Sequence, residues 1–314
     1  MEERPYRVRR SVLAVPASSE RFIARARDLP VDEIFLDLED AVAPSAKRDA
    51  RAQAARALPL GWGDRVVAVR VNDVTTSWAH RDVIDVVSAA AVTGARLDTI
   101  VLPKVSSPEH VVWLDLLLGQ VEREAGLTVG QTGIEAQIED AAGLAAVDAI
   151  AAASPRLEAL VFGPADFMAS VGIKSLEVGA QPEGYAGDVY HYPLMRILIA
   201  ARARGLQAID GPYLKVRDAD GFRRSAGSTA AIGYDGKWVL HPSQVDAGNE
   251  IFTPSQASFD RASEIIEAYA HATGVDERGA VMLGDEMIDE ASHKMAIAVV
   301  AKGQASGLTR TPSS

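Results

Sequence analysis

The chain has 314 residues, 48% of them apolar and 24% charged, with a formal net charge of −11 and no cysteine. This is the composition of a globular protein large enough to bury most of its unfolded surface; it excludes disulfides and thiolate metal sites and fits a reducing cytoplasm. The acidic balance argues against nucleic acid or an anionic membrane as a partner, no window approaches the roughly 18 consecutive apolar residues of a membrane helix, and the apolar run near the N-terminus is too short for a secretory signal.

In chain order, short β-branched runs alternate with helical patterns. "SVLAVPA" (11–17) precedes "SSERFIARARDL", in which Ser18 or Ser19 can cap a helix with Glu20 in its first turn. "EIFLDLED" (33–40) precedes "SAKRDARAQAARAL", "RVVAVRVND" (65–73) precedes "AHRDVIDVVSAAAV", and "DTIVLPKV" (98–105) precedes "SPEHVVWLDLLLGQVEREAG". "GIEAQIEDAAG" (133–143), "EALVFGPADF" (158–167), "LQAIDGPY" (206–213) and "GKWVLHPSQ" (236–244) supply the remaining strands.

Alternating βα units predict a parallel sheet, and eight of them predict an α/β fold of the (β/α)8 TIM barrel type, whose usual size is ~250 residues. A doubly wound open sheet is the alternative. No glycine-rich nucleotide signature follows the first strand. "FTPSQASFDRASEIIEAYAHATG" and "DEMIDEASHKMAIAVVAKGQA" then read as two helices, followed by a polar tail. The expected division is a barrel over 1–250 that carries the site and a C-terminal helical extension over 251–314.

Active sites of such barrels lie at the C-terminal ends of the strands. The strand ends here carry Glu39 and Asp40, Arg70 and Asn72, Lys104, Glu139 and Asp140, Asp166, Asp210 and His241. For any one of them a solvated loop charge is the plainer explanation; the set is harder to dismiss, because many of its members end strongly apolar runs. Two carboxylates on separate strands, without cysteine and with few histidines, suit Mg2+, which takes one or two carboxylates plus water and substrate oxygens. Glu139 and Asp166 are the best pair. Arg70 and Lys104 could pair with them or bind a substrate carboxylate or oxyanion. Glu135 and Gln137 share the parity of Glu139 but lie deeper, so they are expected to hydrogen-bond inside the barrel, to cations such as Lys104. Asp140, of opposite parity, is expected to cap the next helix. His80, His110, His271 and His293 sit in helical patterns as surface or packing residues, and "YAGDVYHYP" (185–193) is a lid or a structural excursion.

"RSVLAVPASSERF", "IFLDLEDAVAPSAKRDAR", "VRVND", "IVLPKV", "IEAQIED", "VFGPADFMASVG", "AIDGPY", "GKWVLHPSQ" and "DEMIDEAS", in this order over nearly the whole chain, resemble the citrate lyase β-subunit-like group of HpcH/HpaI aldolases, most closely its malyl-CoA and β-methylmalyl-CoA lyase branch. The resemblance implies a barrel with a helical extension that caps a neighbouring subunit's site in a homotrimer or hexamer of the cytoplasm. It implies Mg2+, with Mn2+ as a substitute, on Glu139 and Asp166. Arg70 would contact the substrate oxyanion and 2-oxo acid, Glu39 and Asp40 would lie near the metal and its waters, and Asp289 would be the acid a neighbour inserts. Ser19 stands where some relatives carry a base for the CoA phosphates, so Arg21 and Arg25 would compensate; Gln137 stands where relatives usually have an apolar residue.

The implied reaction is reversible Claisen-type cleavage of a 3-hydroxyacyl-CoA, malyl-CoA or a β-methylmalyl or citramalyl analogue, to a CoA ester and a 2-oxo acid. Arg70 and Asp289 would be catalytic, and Arg70, Glu39, Asp40, Lys104 and Arg25 would bind substrate. The alternatives are a malyl-CoA thioesterase or malate synthase-like outcome at the same site, and a non-catalytic subunit or CoA-binding scaffold.

Overall fold

The computed structural model describes residues 6–274 and 279–311. Arg9–Phe252 forms one compact unit, and the chain from Thr253 onward belongs to a second.

The first unit is a closed barrel of eight parallel strands in sequential order, as the alternation of the sequence predicts. Its first half runs β1 (Ser11–Pro16), α1 (Glu20–Ala26), β2 (Glu33–Asp37), α2 (Lys47–Ala57), β3 (Val66–Arg70), α3 (Ala79–Thr93), β4 (Thr99–Leu102) and α4 (Pro108–Glu124). Its second half runs β5 (Gly133–Ile138), α5 (Ala141–Ala145), α6 (Val147–Ala151), β6 (Leu157–Phe162), α7 (Pro164–Val171), α8 (His191–Arg202), β7 (Gln207–Asp210), α9 (Ala219–Ile232), β8 (Gly236–Val239) and α10 (Val245–Phe252). The strands are shorter than the apolar runs suggest: Asp37, Arg70 and Asp210 still end strands, whereas Glu39, Asn72, Lys104, Glu139 and His241 already belong to loops. Ser19 caps α1 by accepting from the Phe22 N–H, and Asp140 caps α5 by accepting from the Gly143 N–H at 2.5 Å, as expected. No described helix is long and apolar enough to cross a membrane.

Side chains alternate across each strand. The outward set packs against the helices in the main core, and the inward set fills the barrel in levels. The middle level is apolar: Val12, Phe35, Ala68, Val101, Ala159, Val161, Ile209 and Trp238. Below it, at the N-terminal ends, the buried Arg9 guanidinium bonds Glu33 at 2.6 Å, Glu158 at 2.7 Å and Gln207, with Glu135 at 3.4 Å. Thr99 also donates into this floor, reaching Glu135 Oε1 at 2.7 Å. Three carboxylates thus surround one cation, and the buried Glu33 and Glu135 carboxyls also meet each other. Burial first, and then the charge of Glu135, pushes the Glu33 carboxyl well above the usual carboxylate range. The expected Glu135–Lys104 contact is therefore replaced by one to Arg9, a residue ahead of the first strand.

In the second unit, α11 (Gln256–Gly274) precedes an antiparallel hairpin of β9 (Val281–Leu283) and β10 (Glu286–Ile288), and then α12 (Glu290–Ala305). The helix expected from Asp285 onward begins only at Glu290. Leu283 pairs with Glu286 across a two-residue turn, and Gly284 at φ +66° supplies the left-handed backbone that such a turn needs. Asp289 is the N-cap of α12, its Oδ1 accepting from the Ser292 N–H at 2.9 Å and hydroxyl at 3.1 Å. The two helices of this unit approach closely at Gly303, where a Cβ would lie 2.2 Å from Phe259 Cδ2.

Candidate active site

Above the apolar level, the inward residues at the C-terminal ends of β2, β3 and β5 are charged or amide-bearing. Arg70 ends β3 with a buried guanidinium that lies 5.6 Å from the centre of the Phe35 ring and 5.3 Å from that of Trp238. Asp37, at the end of β2, takes it in a two-pronged contact, Nε to Oδ1 at 2.8 Å and Nη2 to Oδ2 at 2.6 Å. Its remaining nitrogen, Nη1, lies 3.1 Å from Glu39 Oε2. Burial by itself would lower the Arg70 pKa, but Asp37 and Glu39 outweigh it and leave the pKa above the ordinary arginine value. Arg70 is thus a permanent cation held in one orientation by an arrangement that matches its planar fork.

Glu39 also accepts from Lys104 Nζ, which lies 3.3 Å from Asp40 Oδ1 as well. Burial raises the Glu39 pKa, and the neighbouring Arg70 and Lys104 only partly offset this. The loop that carries Glu39 is pinned from below: the buried Lys47 Nζ donates to the Leu38 carbonyl at 2.8 Å and the Glu39 carbonyl at 2.7 Å. Lys104 is the one non-glycine with a left-handed backbone among the described residues, at φ +52°. That conformation turns its N–H toward Glu139, to which it donates at 2.7 Å.

Glu139 follows β5 and is buried; its second oxygen accepts from Gln137 Nε2. Burial, followed by the charge of Asp166, pushes its carboxyl from 4.5 up to about 8. Asp166 lies in the first turn of α7 rather than at a strand end, because Gly163 and Pro164 turn the chain from β6 directly into that helix. Glu139 and Asp166 both line a cavity of about 530 Å3 that also holds Arg70, Asp37 and Asp40. Both line a polar recess of about 310 Å3 on their other side, with Lys104 and Asp140. The larger cavity is otherwise walled by apolar groups such as Leu13, Val15, Trp238 and Leu240, and the exposed Arg25 of α1 borders it.

The structure therefore gathers Arg25, Asp40, Arg70, Glu139 and Asp166 around one cavity, with Glu39 and Lys104 bonded to them. Asp289 belongs to the second unit. Two rim residues leave the set: Asn72 donates to Asp82 on α3 at 2.6 Å, and Asp210 turns away to Lys237 at 2.5 Å and Thr229 on α9 at 3.1 Å. Arg70 and Lys104 direct their side-chain bonds to Asp37, Glu39 and Asp40, and Glu139 takes the Lys104 backbone N–H and the Gln137 amide instead. Reading strand ends alone misses Asp37, although Glu33, Phe35, Asp37 and Glu39 share one parity. It also misses Lys47 and Gly163.

The donor set suits a hard divalent cation. Glu139 and Asp166 line the same two cavities; two carboxylates would leave water and substrate to supply a cation's other ligands. Burial, and then the charge of Asp166, leaves Glu139 reluctant to ionise; a cation between the two carboxylates would offset both.

The HpcH/HpaI aldolase/citrate lyase family matches residues 10–242. An L-malyl-CoA/beta-methylmalyl-CoA lyase of Cereibacter sphaeroides is 38% identical over 310 residues, 96% of each chain. The citrate lyase subunit beta of Escherichia coli is 31% identical over 310 residues, 98% of this chain and 97% of its own. Among solved structures, protein CitE from Mycobacterium tuberculosis in complex with magnesium, acetoacetate and coenzyme A is similar with a TM-score of 0.70 and 27% identity, over 94% of this chain and 97% of that one. A citrate lyase from Burkholderia xenovorans has a TM-score of 0.80 at 23% identity, over 98% of this chain and 95% of that one, and speaks for the fold alone.

Proposed function

The chain belongs to the HpcH/HpaI aldolase/citrate lyase family, and from that membership we propose reversible, Mg2+-dependent Claisen-type cleavage of a 3-hydroxyacyl-CoA as its reaction, with malyl-CoA or its β-methyl analogue as substrate. The enzyme is a carbon–carbon lyase of CoA esters. What supports the assignment of roles is the meeting of a fixed, buried Arg70 with the Glu139–Asp166 pair in one cavity at the C-terminal rim.

In the cleavage direction the hydroxyl proton leaves, the C–C electron pair passes to the thioester as an enolate, and the enolate carbon takes up a proton. Glu139 and Asp166 would hold Mg2+, which would supply Lewis-acid chemistry at the 2-oxo acid. Arg70 faces the charge that develops on oxygen. Asp37 and Glu39 already fix its guanidinium, so no reorganisation is needed when that charge appears, and one preorganised donor of this kind is worth roughly 2.7–4 kcal/mol. Apolar walls keep water from the enolate, and Arg25 at the border meets the CoA phosphates. Asp289, supplied by a neighbouring subunit of a trimer or hexamer, moves the proton at the carbon, a contribution of about 10²–10⁴-fold for general acid–base catalysis. The assembly works in the cytoplasm, a compartment that suits a chain without cysteine.

The deciding experiment is a Mg2+-dependent cleavage screen of malyl-, β-methylmalyl- and citramalyl-CoA that reads the 2-oxo acid and the CoA ester together. Equal amounts of both are expected, without free thiol. Release of free CoA in their place would make the enzyme a thioesterase, and inactivity on all three would refute the reading.

A further inference from the structure

Gln137 is an amide in a barrel interior whose neighbouring inward positions are apolar or charged, and the chemistry above gives it no task. Its side chain is 4% exposed and borders the cavity. Nε2 donates to Glu139 Oε2, while Oε1 is buried and has no partner. An unpaired buried acceptor lowers stability, so the amide is not explained by its contribution to the fold. Geometry gives the amide its orientation: Nε2 faces Glu139 Oε2, and the ionised Glu139 that a cation requires can only accept, which keeps the N–H2 end toward it and the carbonyl end away.

Glu139 is thereby held at both oxygens. Oε1 takes the Lys104 backbone N–H and Oε2 takes the Gln137 amide, one N–H each. Every carboxylate oxygen has two acceptor sites, so one remains open on each for a cation. The opposite wall is Gly163, where a Cβ would lie 2.4 Å from Glu139 Oε2 and Cβ and 3.0 Å from Gln137 Nε2. A residue without a side chain is thus what admits the Gln137–Glu139 pair at all.

We propose that Gln137 is a positioning residue for the metal ligand Glu139: it fixes the plane of that carboxylate and so sets the affinity for the divalent cation. This rests on the reading that Glu139 and Asp166 hold the metal. Loss of such an outer partner weakens metal binding by about 10–100-fold.

The test uses the full chain and Mn2+ alone, with free ion counted by electron paramagnetic resonance and thermal melting measured in parallel. Gln137→Leu is similar in volume and lacks the donor; Gln137→Met, unbranched, serves if the leucine variant does not fold. Mn2+ binding at least about 10-fold weaker, in protein that the melting curve shows to be fully folded at the assay temperature, is the expected result. Undiminished binding, or loss only in proportion to loss of folded protein, overturns the proposal. Wild type and Glu139→Gln decide the underlying reading separately: if wild type binds no Mn2+, or Glu139→Gln binds it equally well, the metal assignment itself is wrong.

Discussion

At Glu139 two demands compete for one carboxylate. Burial and the charge of Asp166 favour a proton, with the pKa raised from 4.5 to about 8, while a divalent cation requires the ionised form. An acid whose pKa is raised in the folded state stabilises the fold in full below its unfolded value and loses that contribution as pH rises through the folded one. The metal-free protein should therefore lose stability between about pH 4.5 and 8, and Glu139→Gln should flatten that decline in thermal melts; an unchanged slope would count against it. Below pH 8 metal binding should release a proton, seen as a dependence of the calorimetric heat on the buffer's ionisation enthalpy. Glu139, Asp166 and Arg70 were legible in the sequence because each ends or follows an apolar run. Arg9 was not: its partners stand 24 and 198 positions away, and only closure of the barrel brings them together. The left-handed backbone of Lys104 was equally hidden, since nothing in "LPKVSS" marks it.

Elements were legible in kind and order, less so at their ends. The apolar runs gave every barrel strand its place, yet they could not separate the last strand residue from the first loop residue. The hairpin before α12 was missed because its residues also continue a helical pattern, although a Gly–Asp pair between two apolar-bearing runs was an available signal. The correction changes how Asp289 must be tested. As the N-cap of α12 it accepts two hydrogen bonds from Ser292, and replacing such a cap by alanine costs about 1 kcal/mol. Asp289→Ala should lower both turnover and melting temperature, whereas Asp289→Asn keeps a capping oxygen and should lose turnover alone. Both should retain Mg2+-dependent binding of the 2-oxo acid, measured calorimetrically; normal turnover in the asparagine variant would remove Asp289 from the chemistry.

At the scale of the molecule, the second unit exposes Met282, Met287, Met295 and Ile297. Surface of this kind suits contact with another subunit, and the proposal that a neighbour's Asp289 completes the site needs such a contact. A mixture of two inactive variants tests this directly. Glu139→Gln supplies an intact Asp289, and Asp289→Asn supplies an intact metal site, so co-refolded or co-expressed oligomers should recover turnover that neither homo-oligomer shows. Failure to recover it, with mixed oligomers demonstrated by mass, would place Asp289 and the barrel site on the same chain.

Gly163 has a consequence for how this enzyme can vary. Even the smallest side chain there collides with the Cβ of Glu139, an atom fixed to the backbone and unable to swing aside. Every single-nucleotide change that replaces this glycine adds a side chain, so the position is closed to mutational drift while the barrel keeps its shape. New substrate preferences must then arise elsewhere, among the apolar walls and at the border held by Arg25, where a change of side chain leaves Glu139 and Asp166 in place.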